Sequence, residues 1–253
     1  MRQIIQLDAA AVSDRGLKRS TNEDSVLCDP LLGLFAVADG MGGHASGEVA
    51  SRLAIDTVHR EWRERRQLHL IPGVDHRDPG HLLGDVVAAA NQLVLHRSRS
   101  CDLFAGMGTT LLVAVLHEMT LHYAHVGDSR LYRLRSGRLE RLTRDHSFAE
   151  DLLARGYSTA EALRRAESKA LTRALGPSLE VAIDLASFEV HEGDVLLLCS
   201  DGLTGLLDDD EIATQLEAGR LAGRSLDSQV ETLIALANER GGHDNITVVL
   251  ALC

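Results

Sequence analysis

TTLLVAVLHEMTLHYAHVGDSRLYRLRSGRLERL, residues 109–142, decides the fold. Apolar runs of strand length are separated only by His117-Glu118, Gly127-Asp128 and Ser136-Gly137. The alternation Leu121, Tyr123, His125 is that of a strand with two unlike faces. Two-residue links join antiparallel neighbours, because a parallel pair needs a crossover of a dozen residues or more. The stretch therefore reads as an antiparallel meander. Outward from it, strand-length apolar runs recur at 3–7, 25–28, 31–38, 195–199 and 246–250. Helical spacing appears at Ala45, Val49, Leu53, Val58 and Trp62, and again at Leu82, Leu83, Val86, Val87, Ala90, Leu93 and Val94. Asp78-Pro79 supplies a cap and a first-turn proline for the second helix, and a third, over 230–237, stops at Gly241-Gly242. Asp208-Asp209-Asp210 reads as the cap of a short helix carrying Ile212 and Leu216. Strands joined by hairpins and helices in separate groups give an α+β layered fold, not alternating βαβ units. Two stretches are less periodic: 63–78, and 146–179, which is polar, weakly helical and expected to be a flap. Arg60, Arg63, Arg65 and Arg66 read as a solvated helix end.

A chain of 253 residues that is 45% hydrophobic can bury a core without help from disulfides or structural metals. No repeat or linker divides it, so one domain over 1–253 is expected. The formal charge of −11 and the lack of a basic block argue against nucleic acid. Only Lys18 and Lys169 are lysines, so no phosphate-cradling GxxxxGK[ST] loop exists. Cys28, Cys101, Cys199 and Cys253 are scattered, without zinc spacing, and are expected to be reduced and mostly buried. A cysteine phosphatase needs an arginine six residues after its nucleophile, where Cys28, Cys101 and Cys199 have Leu34, Met107 and Gly205. With no leader pattern and no apolar run of membrane length, a soluble cytoplasmic protein without membrane partners is expected.

The acidic residues carry the chemistry. Asp39 follows LFAVA and Asp201 follows LLLCS; Asp128 sits in a tight turn, and Asp244-Asn245 precedes the run 246–250. Singly, each is an ordinary turn or cap residue. Together, carboxylates converging on one sheet end repel each other unless cations neutralise them. An all-oxygen donor set selects hard ions, magnesium or manganese, over structural zinc. Arg19-Ser20-Thr21-Asn22-Glu23-Asp24 offers one cation and two carboxylates: a surface turn, or a guanidinium that grips phosphate beside outer-sphere acids. Gly40-x-Gly42-x-x-Ala45 imitates a dinucleotide fingerprint, but no acidic residue ends a second strand about 20 residues on.

Seven ordered blocks, SDRGLKRSTNEDS, VADGMGGHASGEVAS, GMGTT, HVGDSRLYRL, LTRDHS, LLLCSDGLT and GGHDNITVV, span residues 13–249. In them the chain resembles the bacterial metal-dependent protein phosphatases of type 2C, the PPM family. The resemblance implies a four-layer α-β-β-α sandwich, two antiparallel sheets flanked by helix pairs, with a flap near 146–179. It implies two tightly bound Mn2+ or Mg2+ ions bridged by Asp39, with the Gly40 carbonyl, Asp201 and Asp244 completing the centre. Asp128 with Asp201 would hold a third, weaker ion; Glu23 and Asp24 would act through water or from behind the direct ligands. Arg19 matches the phosphate-binding arginine. His44 is either the general acid for the leaving oxygen or a structural donor at a helix start. The implied reaction is hydrolysis of protein phosphoserine and phosphothreonine by a metal-activated water. Implied partners are phosphorylated proteins, including a bacterial eukaryotic-type Ser/Thr kinase and its substrates, with the enzyme a monomer. The competing expectation is a non-catalytic phosphoprotein-binding module on the same fold, against which the complete set of expected metal positions speaks.

Overall fold

The computed structural model describes residues 7–42, 46–68, 79–164 and 170–253. In chain order its elements are β1 (Asp8–Asp14), β2 (Asp24–Asp29), β3 (Leu34–Met41), α1 (Ser46–Leu68), α2 (Pro79–Ser100), β4 (Gly108–Thr109), β5 (Leu111–His117), β6 (Thr120–Val126), β7 (Arg130–Arg135) and β8 (Arg138–Arg141). There follow α3 (Phe148–Ala154), α4 (Thr159–Leu163), β9 (Asp184–Glu189), β10 (Val195–Cys199), α5 (Asp201–Thr204), α6 (Asp209–Leu221), α7 (Leu226–Glu239) and β11 (Ile246–Leu252). One sheet runs β1-β11-β10-β7-β8; the other runs β2-β3-β5-β6-β9, with β4 added beside β3. Every strand pair is antiparallel.

Three apolar clusters define four layers. Phe35, Val37, Leu112, Ala114, Leu131, Leu196, Leu198 and Val249 fill the space between the sheets. The alternate residues of the same strands, Ala36, Ala38, Val113 and Val115, face Ala54, Val58, Leu83 and Val86 of α1 and α2. On the opposite side Tyr132, Leu197, Val248 and Leu250 face Ile212 and Leu216 of α6 and Val230 and Leu233 of α7. Burial of both faces is why β3, β5, β10 and β11 read as continuous apolar runs. The expected α-β-β-α sandwich is present.

The meander needs correction. β5 and β6 do pair, and so do β7 and β8, but β6 and β7 do not; β6 pairs with β9 and β7 with β10. Gly127-Asp128 therefore carries the chain from one sheet to the other instead of closing a hairpin. The segment between β1 and β2 makes the same crossing at the same end.

Other differences are local. The first described strand begins at Asp8, past the expected 3–7, of which 3–6 lie outside the described residues. β9, with the alternation of an edge strand, had no apolar run to mark it. α1 extends through Leu68 on a polar second half, where Arg65 pairs with Glu61 at 3.2 Å and Arg66 donates to the Leu32 carbonyl at 2.8 Å. Asp208 caps α6 in a reciprocal capping box with Glu211, as its sequence suggests. The cysteines are free but not mostly buried: Cys199 is buried, Cys28 and Cys253 are half-buried, and Cys101 is exposed because it sits at the end of α2, past the last buried residues. No described helix is long and apolar enough to cross a membrane.

Candidate active site

Both crossings place acidic residues at one end of the sandwich. Asp39 lies inside β3, not at its end, because β4 takes over pairing beyond β5, with Gly40 opposite Thr109. Its backbone is held on both sides: the Thr110 amide and the Thr109 hydroxyl donate to the Asp39 carbonyl at 2.8 and 2.9 Å, and the Asp39 amide donates to Thr110 Oγ1 at 2.9 Å. Gly40 donates to the Glu23 carbonyl at 3.1 Å, and any Cβ there would collide with the Gly47 and Glu23 carbonyls. Only glycine lets these backbones meet.

Asp128 follows Gly127, whose φ of +116° and contact with the Thr110 side chain both exclude a Cβ. Thr110 Oγ1 is 2.8 Å from Ser129 Oγ, so one threonine joins the Asp39 strand to the Asp128 turn. Asp201 opens α5 directly after β10. Asp244 precedes Asn245, which organises the crossing loop: its amide donates to the Arg15 and Thr21 carbonyls at 2.9 Å each, and its oxygen accepts from the Glu23 amide at 2.8 Å. That loop brings Arg19 to Asp244 Oδ2, to which it donates at 2.7 Å.

Arg19, Glu23, Asp39, Gly40, Asp128, Asp201 and Asp244 line one cleft of about 680 Å³. Its other wall comes from the expected flap, with Ala170 to Ala174, Pro177 and Ser178, and from Glu180, Val181 and Ala182 just past it. Asp24 stands behind the cleft, buried, its Oδ2 accepting from Thr247 Oγ1 at 2.6 Å and Ser200 Oγ at 2.8 Å. Its Oδ1 is buried without a hydrogen-bond partner among the described residues. His44 falls outside the described residues.

The electrostatics follow from this crowding. Burial, then the charges of Asp24, Asp201, Asp128 and Asp244, hold the Asp39 carboxyl well above the usual carboxylate range. Burial, followed by Asp201 and Asp145, pushes Asp128 up to about 7, and burial likewise pushes Asp24 up to about 7 against its two hydroxyl donors. Burial raises Glu23 despite the nearby Arg19. Burial works against the charge on Arg19, but Asp244 outweighs it and the guanidinium is held more firmly protonated. Such a set is tolerable fully ionised only with added positive charge. The donors, carboxylates and a carbonyl, fit a hard divalent ion. Among the described residues no three of them already close into an ion-holding group, and Arg19 is the cation nearest Asp244.

The two sheets, their helix layers and the carboxylate-lined cleft between them define a phosphatase class. The chain belongs to the protein phosphatase 2C family, whose family model matches residues 18–250, and is a serine/threonine protein phosphatase of that type. It is 36% identical over 248 residues to the serine/threonine phosphatase Stp of Listeria welshimeri, covering 94% of this chain and 92% of that protein. Its structure is similar to the crystal structure of the Mycobacterium tuberculosis serine/threonine phosphatase PstP/Ppp, with a TM-score of 0.84, 38% identity, and coverage of 97% of this chain and 98% of that one. A structure of the PstP catalytic domain in complex with two manganese ions matches with a TM-score of 0.81 and 37% identity, over 97% of each chain.

The acids stand out in the sequence; the residues that aim them do not. Thr109, Thr110, Ser200, Asn245 and Thr247 hold the site through backbone and hydroxyl bonds. All five lie inside the blocks GMGTT, LLLCSDGLT and GGHDNITVV, and that position was their only signal.

Proposed function

We propose that this cleft hydrolyses phosphoserine and phosphothreonine in proteins, with Mn2+ or Mg2+ held by Asp39, the Gly40 carbonyl, Asp201 and Asp244, and a third, weaker ion by Asp128 with Asp201. The carrying observation is the gathering of carboxylates from both sheets around Asp39, whose carboxyl burial and four neighbouring acids hold well above its usual range. The manganese in the PstP structure supports the reading. Bound ions supply an activated water and neutralise phosphate charge.

The chain's own residues do the rest. Arg19 leaves Asp244 for the substrate phosphate, a bidentate match for its guanidinium. Glu23, placed by Asn245, and Asp24, placed by Ser200 and Thr247, act from behind the direct ligands. His44 is assigned the proton for the departing oxygen. The flap wall contacts the protein around the phosphoresidue. Partners in this reading are phosphorylated proteins, including a eukaryotic-type Ser/Thr kinase and its substrates, and the enzyme acts as a cytoplasmic monomer with one domain over 1–253.

The test is phosphate release from phosphothreonine and phosphoserine peptides with Mn2+ or Mg2+, with chelator and Asp39→Ala as controls. Metal-dependent release that the variant loses supports the reading. Folded, metal-loaded protein that releases nothing, yet captures phosphopeptide in chelator, makes it a binding module instead.

A further inference from the structure

Behind the Asp128 turn stands a group of polar side chains that the reaction above does not use. His146, 5% exposed, takes up both polar backbone groups of Gly127. The Gly127 amide donates to His146 Nδ1 at 3.0 Å, and the His146 amide donates to the Gly127 carbonyl at 2.7 Å. On its far side His146 Nε2 lies 3.0 Å from Asp184 Oδ2 and 3.1 Å from Arg173 Nη1, and the same Arg173 nitrogen donates to Asp184 Oδ1 at 2.7 Å. A backbone amide can only donate, so Nδ1 is the acceptor and the ring proton resides on Nε2, where it donates to Asp184; Arg173 Nη1, also a donor, directs its proton to the closer Asp184 carboxylate and not to the ring. The His125 ring stacks on this imidazole with centroids 4.7 Å apart. His146 opens the flap and meets its cleft-lining part through its backbone: the Thr172 amide donates to the His146 carbonyl at 2.9 Å, and Ser147 bridges Leu171. Leu171, Thr172 and Arg173 line the cleft.

We propose that His146 is a positioning residue that couples the flap to the Asp128 turn. Its ring and amide fix Gly127, and so the direction in which Asp128 leaves the turn. Asp184 and Arg173 tie that ring to the cleft-lining segment 170–174. A phosphoprotein pressing on the flap thereby acts on the aim of Asp128 without touching it. The link to turnover rests on the functional reading above; the clamp on Gly127 is a property of the metal-free chain and is tested there.

Three variants divide the contacts. His146→Asn keeps an acceptor near the Nδ1 position and loses Asp184; His146→Gln keeps a donor toward Asp184 and loses the acceptor; His146→Ala loses both. In chelator, NMR amide hydrogen exchange at Gly127 is expected to quicken about five- to tenfold in His146→Gln and His146→Ala, the size of one lost hydrogen bond, and to stay near wild type in His146→Asn. Asp184→Ala, which cuts the tie and not the clamp, is expected to quicken exchange at 170–174 while leaving Gly127 protected; unchanged exchange at 170–174 overturns the coupling. With Mn2+ and a small aryl phosphate, kcat falls in His146→Gln and His146→Ala at unchanged KM, and His146→Asn keeps it near wild type. Unchanged Gly127 exchange in His146→Gln overturns the clamp, as does an equal loss of kcat in His146→Asn and His146→Gln. Should His146→Ala fail to fold, the Asn and Gln pair decides. A wild type with no phosphate release would refute the phosphatase reading, and the exchange measurements would still decide the clamp.

Discussion

Ser200 Oγ donates to Asp24 Oδ2 at 2.8 Å, binding the end of β10 in one sheet to the start of β2 in the other across 176 residues of sequence. Thr247 makes the same link from β11 at 2.6 Å. Asp24 is thus a bolt between the sheets as much as a neighbour of the cleft. Asp24→Ala leaves two fully buried hydroxyls without this acceptor and is expected to be about 1–3 kcal/mol less stable than Asp24→Asn, which removes the same buried acid. Asp24→Asn keeps an acceptor oxygen and removes a buried acid, so in chelator at neutral pH it should be at least as stable as wild type. Urea unfolding of the three proteins checks this, and an Asp24→Ala midpoint equal to that of Asp24→Asn would remove the bolt from the account.

The crowded acids also fix how stability follows pH in metal-free protein. Asp24 and Asp128 rise to about 7 in the folded chain, and Asp39 moves in the same direction. An unfolded aspartate titrates near about 4, so between about 4 and 7 the folded state binds more protons than the unfolded one, and stability falls as pH rises. Burial holds His125 down to about 3 and also lowers His146, which pulls the other way below about pH 6.5. The three raised acids outnumber these two histidines, so in chelator the melting temperature is expected to drop from about pH 5 to about pH 7.5, most clearly above about pH 6.5. Divalent ions prefer the deprotonated acids, so Mn2+ should raise the melting temperature more at the higher pH. Melts that rise with pH in chelator would contradict the crowding.

Much of this was legible in the sequence because burial writes a strong pattern. β3, β5, β10 and β11 are apolar on both faces, and the acids follow them at fixed places. What escaped was whatever lacks an apolar signature. The Gly127-Asp128 turn looks like any hairpin until β9 and β10 claim the flanking strands, a pairing decided by residues about 60 positions away. The polar half of α1 and the edge strand β9 bury too little to show a period. Thr110 and Asn245 bear no chemistry of their own, and their work is visible only once the two backbones they join stand side by side.

Thr110 offers a clean probe of that hidden support. Its hydroxyl accepts from the Asp39 amide and meets Ser129 Oγ, both within 3 Å, and the residue is buried. Thr110→Val keeps the shape and strands the Asp39 amide, at an expected cost of about 1–3 kcal/mol. Because the same hydroxyl joins the Asp39 strand to the Asp128 turn, kcat should fall further than the stability loss alone explains at a temperature where the variant is fully folded. Thr110→Ser should recover most of both. A Thr110→Val enzyme with normal kcat would show that the two acids do not depend on this link.

Arg19 and Asp39 should separate substrate binding from the site itself. Arg19 is about half exposed and its carboxylate partner is a third exposed, so Arg19→Ala is expected to change stability by less than about 1 kcal/mol. Its loss should appear in phosphosubstrate use, as a fall of about 10- to 100-fold in kcat/KM, because one charge-assisted grip on the phosphate is gone. Asp39→Ala and Asp244→Ala remove donors from the cleft itself and are expected to lower turnover by at least about a hundredfold. Misfolding is excluded as the cause by a melt in chelator at neutral pH: Asp39→Ala relieves repulsion from Asp24, Asp201, Asp128 and Asp244 and should melt no lower than wild type. Mn2+ should then raise its melting temperature less than it raises that of the parent. An Asp39→Ala protein that keeps both full turnover and the full Mn2+ shift would place the ions elsewhere in the molecule.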